Sequence, residues 1–138
     1  MAVPQAKMRE IVFQMLYSIN MGHAAHDDLV KLMMSELSVS KSSVLKAMEK
    51  VDAIQLHLES LDATIAKASE AYEFDRIHNI EKNILRLALF ELQYDKDVPP
   101  KVAIAEAIRL SRKFAAPESA SFVNALLDSI YRAMPQDS

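Results

Sequence analysis

Apolar positions recur along this chain at intervals of three and four, the period of one helical face, and no useful stretch alternates with the period of two that a strand requires. Ile11, Val12, Met15, Leu16 and Ile19 draw the first stripe. Pro4 can open it, because a missing N–H costs nothing in a first helical turn, and Gly22 closes it as a C-cap. A second helix is predicted from Asp27 or Asp28 through Leu29, Leu32, Met33 and Leu37. The serine-rich stretch from Ser38 to Ser43 reads as a loop and a new N-cap. A long seam follows: Val44, Met48, Val51, Ile54, Leu58, Leu61, Ile65, Ala68 and Tyr72. Its near-heptad spacing predicts one long helix of an antiparallel bundle. The pattern loosens between Glu73 and Asn79.

The next pattern is apolar around most of its girth. Ile80, Ile84, Leu85, Leu87, Ala88, Leu89, Phe90, Leu92 and Tyr94 leave one polar strip, which holds Lys82, Arg86 and Gln93. A helix this apolar must be surrounded by others, so it is predicted to be the central post. Val98-Pro99-Pro100 then breaks the chain and opens a further helix through Ala103, Ala107, Leu110 and Phe114, whose small alanines permit close approach. Ala115-Ala116-Pro117 makes a second break. Pro117, Glu118 and Ser119 start the last helix, with the stripe Val123, Leu126, Leu127, Ile130 and Met134. The predicted fold class is all-α, with six or seven helices.

Composition narrows the chemistry. One glycine in 138 residues argues against phosphate-cradling loops and dinucleotide fingerprints. With no cysteine there is no disulfide and no thiolate nucleophile or ligand, as fits a reducing cytoplasm. No apolar run approaches the length of a membrane span, and no membrane partner is expected. The net charge of −3 argues against indiscriminate nucleic-acid binding. The acidity lies in residues 21–75, with five basic and ten acidic side chains, so the two ends can still share a weakly basic surface.

His23-Ala24-Ala25-His26-Asp27-Asp28 has the composition of a metal site, but it straddles a glycine-marked turn and offers no third convergent ligand; it reads as a surface loop. His57 and His78 read as ordinary bundle residues. Glu81 and Glu91 border the apolar arc of the central helix; ten residues apart, they rise about 15 Å along the axis, too far for a shared acid–base pair. Glu91 reads as a buried acid satisfied by another helix, and Glu81, nearer the helix start, as a candidate interface residue. No nucleophile, base and orienting group can be assembled, so no enzyme, cofactor or metal is expected. Arg109, Arg112 and Lys113 cluster in the last turns of their helix. They either stabilise its C-terminus or contact phosphate. Phe122 is either core or a platform for an unpaired base. Lys7 and Arg9 are either helix-surface charges or phosphate contacts.

IEKNILRLALFEL, DVPPKVAIAEAI and ESASFVNALLD, in this order and spacing, resemble the C-terminal signatures of the NusB family of transcription antitermination factors. The likeness is dense from Ile80 to Asp128 and continues more thinly in REIVFQMLYS. It implies a single domain, 1–138, of two small helical bundles packed roughly perpendicular: an N-terminal subdomain, 1–75, and a C-terminal one, 76–138. It also implies no catalysis. Implied partners are boxA-type single-stranded RNA, NusE (also a protein of the small ribosomal subunit) and the RNA polymerase antitermination complex on ribosomal RNA operons. A homodimer could cover the RNA surface. By the same resemblance, Lys7, Arg9, Arg112, Glu118, Phe122 and Asn124 fall at the RNA edge, and Tyr17, Asp75 and Glu81 face NusE. The chain has Ala125 where the family has a glycine after FVN, and its N-terminal basic run is reduced to Lys7 and Arg9. RNA binding is therefore expected to lean on the partner protein. The alternative is a helical protein-interaction module that has lost RNA recognition.

Overall fold

The computed structural model describes residues 3–22, 26–69 and 74–135. His23 of the histidine pair and Tyr72 of the long seam lie outside them. Among the described residues every regular element is helical. The chain forms two compact units, Met1–Leu56 and His57–Ser138.

The first unit holds α1 (Gln5–Asn20), α2 (His26–Leu37) and α3 (Lys41–Leu56), each packed on the other two. α1 ends as its sequence predicts. The Met21 N–H donates to the Tyr17 carbonyl at 3.0 Å, and Gly22 turns left-handed at φ 82°, where a Cβ would strain the backbone. α3 starts on a serine cap, the Ser40 Oγ accepting from the Ser43 N–H at 3.2 Å. Ile11, Met15 and Leu16 meet Leu29, Met33, Val44, Met48 and Val51 in the core, all nearly inaccessible. Each such side chain contributes about 2 kcal/mol by leaving water.

The second unit holds α4 (Leu58–Ala68), a short 3-10 turn (Phe74–Arg76), α5 (Asn79–Tyr94), α6 (Pro100–Phe114) and α7 (Ser119–Ala133). α5 is its post: it touches α4, α6 and α7, and eleven of its sixteen residues are buried. On α6 the buried residues facing neighbours include Ala103 and Ala107, whose small side chains let the helices lie close. Leu61 and Ile65 of α4 are fully buried, as α4 packs on α5 and α7.

Three expectations change. The long seam is two helices, because α3 ends at Leu56 and α4 begins at Leu58. His57 sits at the break, with φ −103° and ψ 10°, and its ring stacks on Tyr94 at 4.0 Å between centroids. That stack attaches the break to α5, and α4 packs within the second unit, which begins at His57. Arg86, placed on the polar strip by the sequence pattern, is only 6% accessible. It enters the interior because Asp62 of α4 meets it with both carboxylate oxygens, at 2.7 and 2.8 Å. Tyr94, expected in the apolar arc, is 42% exposed and contributes its ring to the His57 stack. Glu91 is buried as expected, at 1%. Among the described residues no buried side-chain nitrogen or oxygen lacks a partner.

Candidate nucleic-acid interface

The connection from α6 to α7 gathers most of the sequence-predicted RNA residues. α6 stops at Phe114. The Ala115 N–H still donates to the Ser111 carbonyl at 2.9 Å, but Ala115 itself is extended, and Pro117 follows. The Ser119 N–H donates to the Ala116 carbonyl at 3.0 Å and tightens the turn into α7. Of the three cations before the turn, Arg109 is engaged by Glu106 of its own helix, Nε to Oε2 at 2.7 Å. Arg112 and Lys113 stand exposed, Lys113 with its Nζ 5.6 Å above the Phe114 ring. Both lie at the negative end of the α6 dipole, which favours cations whether or not a phosphate arrives.

On α7, Glu118 is exposed at the N-cap and Phe122 is half-buried. Four residues apart, they share one face of the helix. Phe122 is thus neither a closed core ring nor a free one: one part packs and another stays accessible. Asn124 is exposed. Val123 between them is fully buried, so Phe122 and Asn124 flank it on opposite sides. Arg112, Glu118 and Phe122 thus lie close in sequence around the α6–α7 connection, while Asn124 falls on the other side of Val123.

The other two predicted RNA residues lie on α1 in the first unit. Lys7 is half-exposed. Arg9 is 7% accessible and engaged within the protein, a poorer surface for phosphate than its sequence position suggests.

The predicted partner residues also divide between the units. Tyr17 is half-buried on α1, stacked on Phe13 at 6.3 Å. Asp75 is exposed in the 3-10 turn, and Glu81 is 8% accessible in the first turn of α5, where a carboxylate suits the positive dipole end. Phe74 joins these two acids' elements. Lys82 Nζ lies 4.6 Å above its ring and the Arg86 guanidinium 5.9 Å away. Sequence reasoning passed over Phe74 and Asp62, because their partners are distant helix positions that no periodicity reveals.

Among the described residues no group of three or more His, Asp or Glu side chains is placed to hold a metal, and no helix is long and apolar enough to cross a membrane. The second unit exposes Arg112 and Glu118 around a half-buried Phe122 and exposes Asp75 ahead of α5, while Glu81 at the start of that post is buried. The family follows from the comparison with known proteins: a model of the NusB family matches residues 6–132, and this chain belongs to that family. It is 43% identical to the transcription antitermination protein NusB of Chlamydia pneumoniae, over 93% of this chain and 80% of that protein. Among solved structures it resembles T. maritima NusB, with 28% identity, 96% of this chain and 94% of that chain covered, and a TM-score of 0.79. It also resembles a chain in the crystal structure of the antitermination factors NusB and NusE in complex with dsRNA, with 28% identity, 94% and 97% covered, and a TM-score of 0.81.

Proposed function

We propose that this chain is a non-catalytic transcription antitermination factor that binds boxA-type single-stranded RNA as a heterodimer with NusE, in the cytoplasm, and so helps RNA polymerase transcribe ribosomal RNA operons. The likeness to a chain in the NusB–NusE complex with dsRNA supports NusE and RNA as partners, and the single-stranded boxA element comes from the family resemblance. The observation that supports it in this chain is the α6–α7 connection, which has Arg112 exposed before it and Phe122 half-buried after it, a cation for phosphate and a ring for a base. Glu118 on the same face as Phe122 repels phosphate and would confine the strand to the cationic side of the ring. Lys7 is the accessible cation of α1, with Arg9 in support from beneath the surface. Toward NusE we assign Tyr17 of the first unit and, separately, Asp75 and Glu81 of the second. Asp75 is open to a basic partner group, while Glu81 is buried at 8% and offers a partner much less surface.

Transcription in vitro on a boxA-bearing template tests this reading. Adding the chain together with NusE should raise read-through of a terminator, and scrambling boxA should remove the gain. Unchanged read-through with both proteins present contradicts it.

The burial of Arg9 favours a second reading, a protein-interaction module without RNA recognition. In that case replacing Lys7 with alanine leaves read-through unchanged, whereas the RNA reading predicts a loss.

A further inference from the structure

The first unit carries a groove of about 630 Å³, lined by Asp27, Val30, Lys31, Met34, Lys41 and Leu45. It runs between α2 and α3, and none of the residues assigned above lines it. Its floor is apolar. Val30 is buried, Met34 is half-buried, and Leu45 stands 42% exposed on the wall. A large aliphatic side chain left this open, beside a flexible methionine, is characteristic of surfaces that receive a helix. The rim is cationic. Lys31 and Lys41 are exposed, and among the described residues neither is paired with an acid. Lys41 is also the first residue of α3, so the positive end of that dipole adds to the same charge. This is a local reversal in a stretch, residues 21–75, that is otherwise acidic.

We propose that this groove is a docking site for an acidic amphipathic helix of a partner protein, a reading that stands apart from the RNA site. Apolar side chains of the incoming helix enter against Val30, Met34 and Leu45, and its carboxylates meet Lys31 and Lys41. Asp27 at the margin sets direction, accepting a cationic or uncharged end and rejecting a carboxylate there. Charge and lining argue against two other occupants. No aromatic ring lines the groove on which a base could stack, which disfavours single-stranded RNA. A two-fold pairing of this face with a second copy would bring like-charged rims together.

The test uses the full chain and a fluorescein-labelled synthetic helix of about four turns, with leucines along one face and glutamates beside them. Its control is the same helix with every glutamate replaced by lysine. Fluorescence anisotropy should show saturable binding of the acidic helix that weakens as salt rises. The double variant Lys31→Glu with Lys41→Glu should weaken it about tenfold, and Leu45→Ser should weaken it as well. Lys46→Glu, exposed on α3 but outside the groove, should leave it unchanged. Circular dichroism checks that the variants stay folded, which exposed positions favour. Absence of saturation up to about 1 mM, equal binding of the lysine helix, or an unaffected double variant overturns the proposal. So does a concentration-dependent dimer that the double variant dissociates, which assigns the groove to a second copy. Loss of single-stranded RNA binding in the double variant also overturns it, by giving the groove to RNA.

Discussion

Arg86 of α5 and Asp62 of α4 form a two-pronged ion pair, Nε to Oδ1 at 2.7 Å and Nη2 to Oδ2 at 2.8 Å, with the arginine side chain 7% and the aspartate 24% accessible. A third bond ties Arg86 Nη1 to Asn83 Oδ1 at 3.1 Å, and the Phe74 ring lies against the guanidinium. The post of the second unit is thus fixed to α4 by charge as well as by Leu61 and Ile65. An arginine this enclosed is tolerable only because its donors are met.

Removing one partner should therefore cost more than removing both. Asp62→Ala leaves a buried cation and should destabilise the chain by about 2–4 kcal/mol in urea denaturation. The pair Arg86→Met with Asp62→Leu should recover most of that loss. A single Asp62→Ala variant within about 0.5 kcal/mol of the parent would show that the pair is a surface contact of little weight.

Close packing around Ala107 gives a second prediction. This alanine is 2% accessible on a helix that touches both α5 and α7. Ala107→Leu should force the helices apart and cost about 1–3 kcal/mol, read as a lower thermal midpoint. Ala105→Leu, exposed on the same helix, is the control and should be nearly neutral.

At the α6–α7 turn, charge and ring should separate by their salt dependence. Arg112→Ala should weaken boxA RNA binding and flatten the slope of log affinity against log salt by roughly 0.7. Phe122→Ala should weaken binding by about 1–3 kcal/mol with the slope unchanged, because stacking releases no counterion. Filter binding at several salt concentrations reads both. Equal slopes for the two variants would deny Arg112 its phosphate.

The two α1 cations should also part company. Lys7→Ala should weaken RNA binding without touching stability, since the side chain is half-exposed. Arg9 is 7% accessible and engaged, so Arg9→Ala should act chiefly on stability, by about 1–3 kcal/mol. A stability-neutral Arg9→Ala that loses RNA would place Arg9 at the surface after all.

How far the sequence discloses this molecule depends on whether a feature is local. The post was legible: Ile84, Leu85, Leu87 and Leu89 recur with the helical period and all are buried. The cap at Gly22 and the proline break before α6 were legible for the same reason, since each is chemistry within a few residues. The break at His57 was not. The apolar period continues through it from Ile54 to Leu61, with no glycine or proline to mark the turn, and the contact that anchors His57 comes from Tyr94. Arg86 was misplaced because its partner is 24 residues away on another helix, and polarity in the pattern cannot show a tertiary partner. For the binding turn, charge and ring were visible in the sequence, but the choice between core and RNA platform for Phe122 rested on the family resemblance. The structure adds that the ring is half-open.

With only Lys7 and a buried Arg9 on α1, the proposed RNA binding depends on NusE more than it would in an arginine-rich relative. Titration of labelled boxA RNA with the full chain, alone and with equimolar NusE, tests it most directly. Binding should be weak for the chain alone and at least about tenfold tighter with NusE, and an Asp75→Ala, Glu81→Ala variant should lose that gain. Failure to bind either NusE or boxA RNA would contradict it.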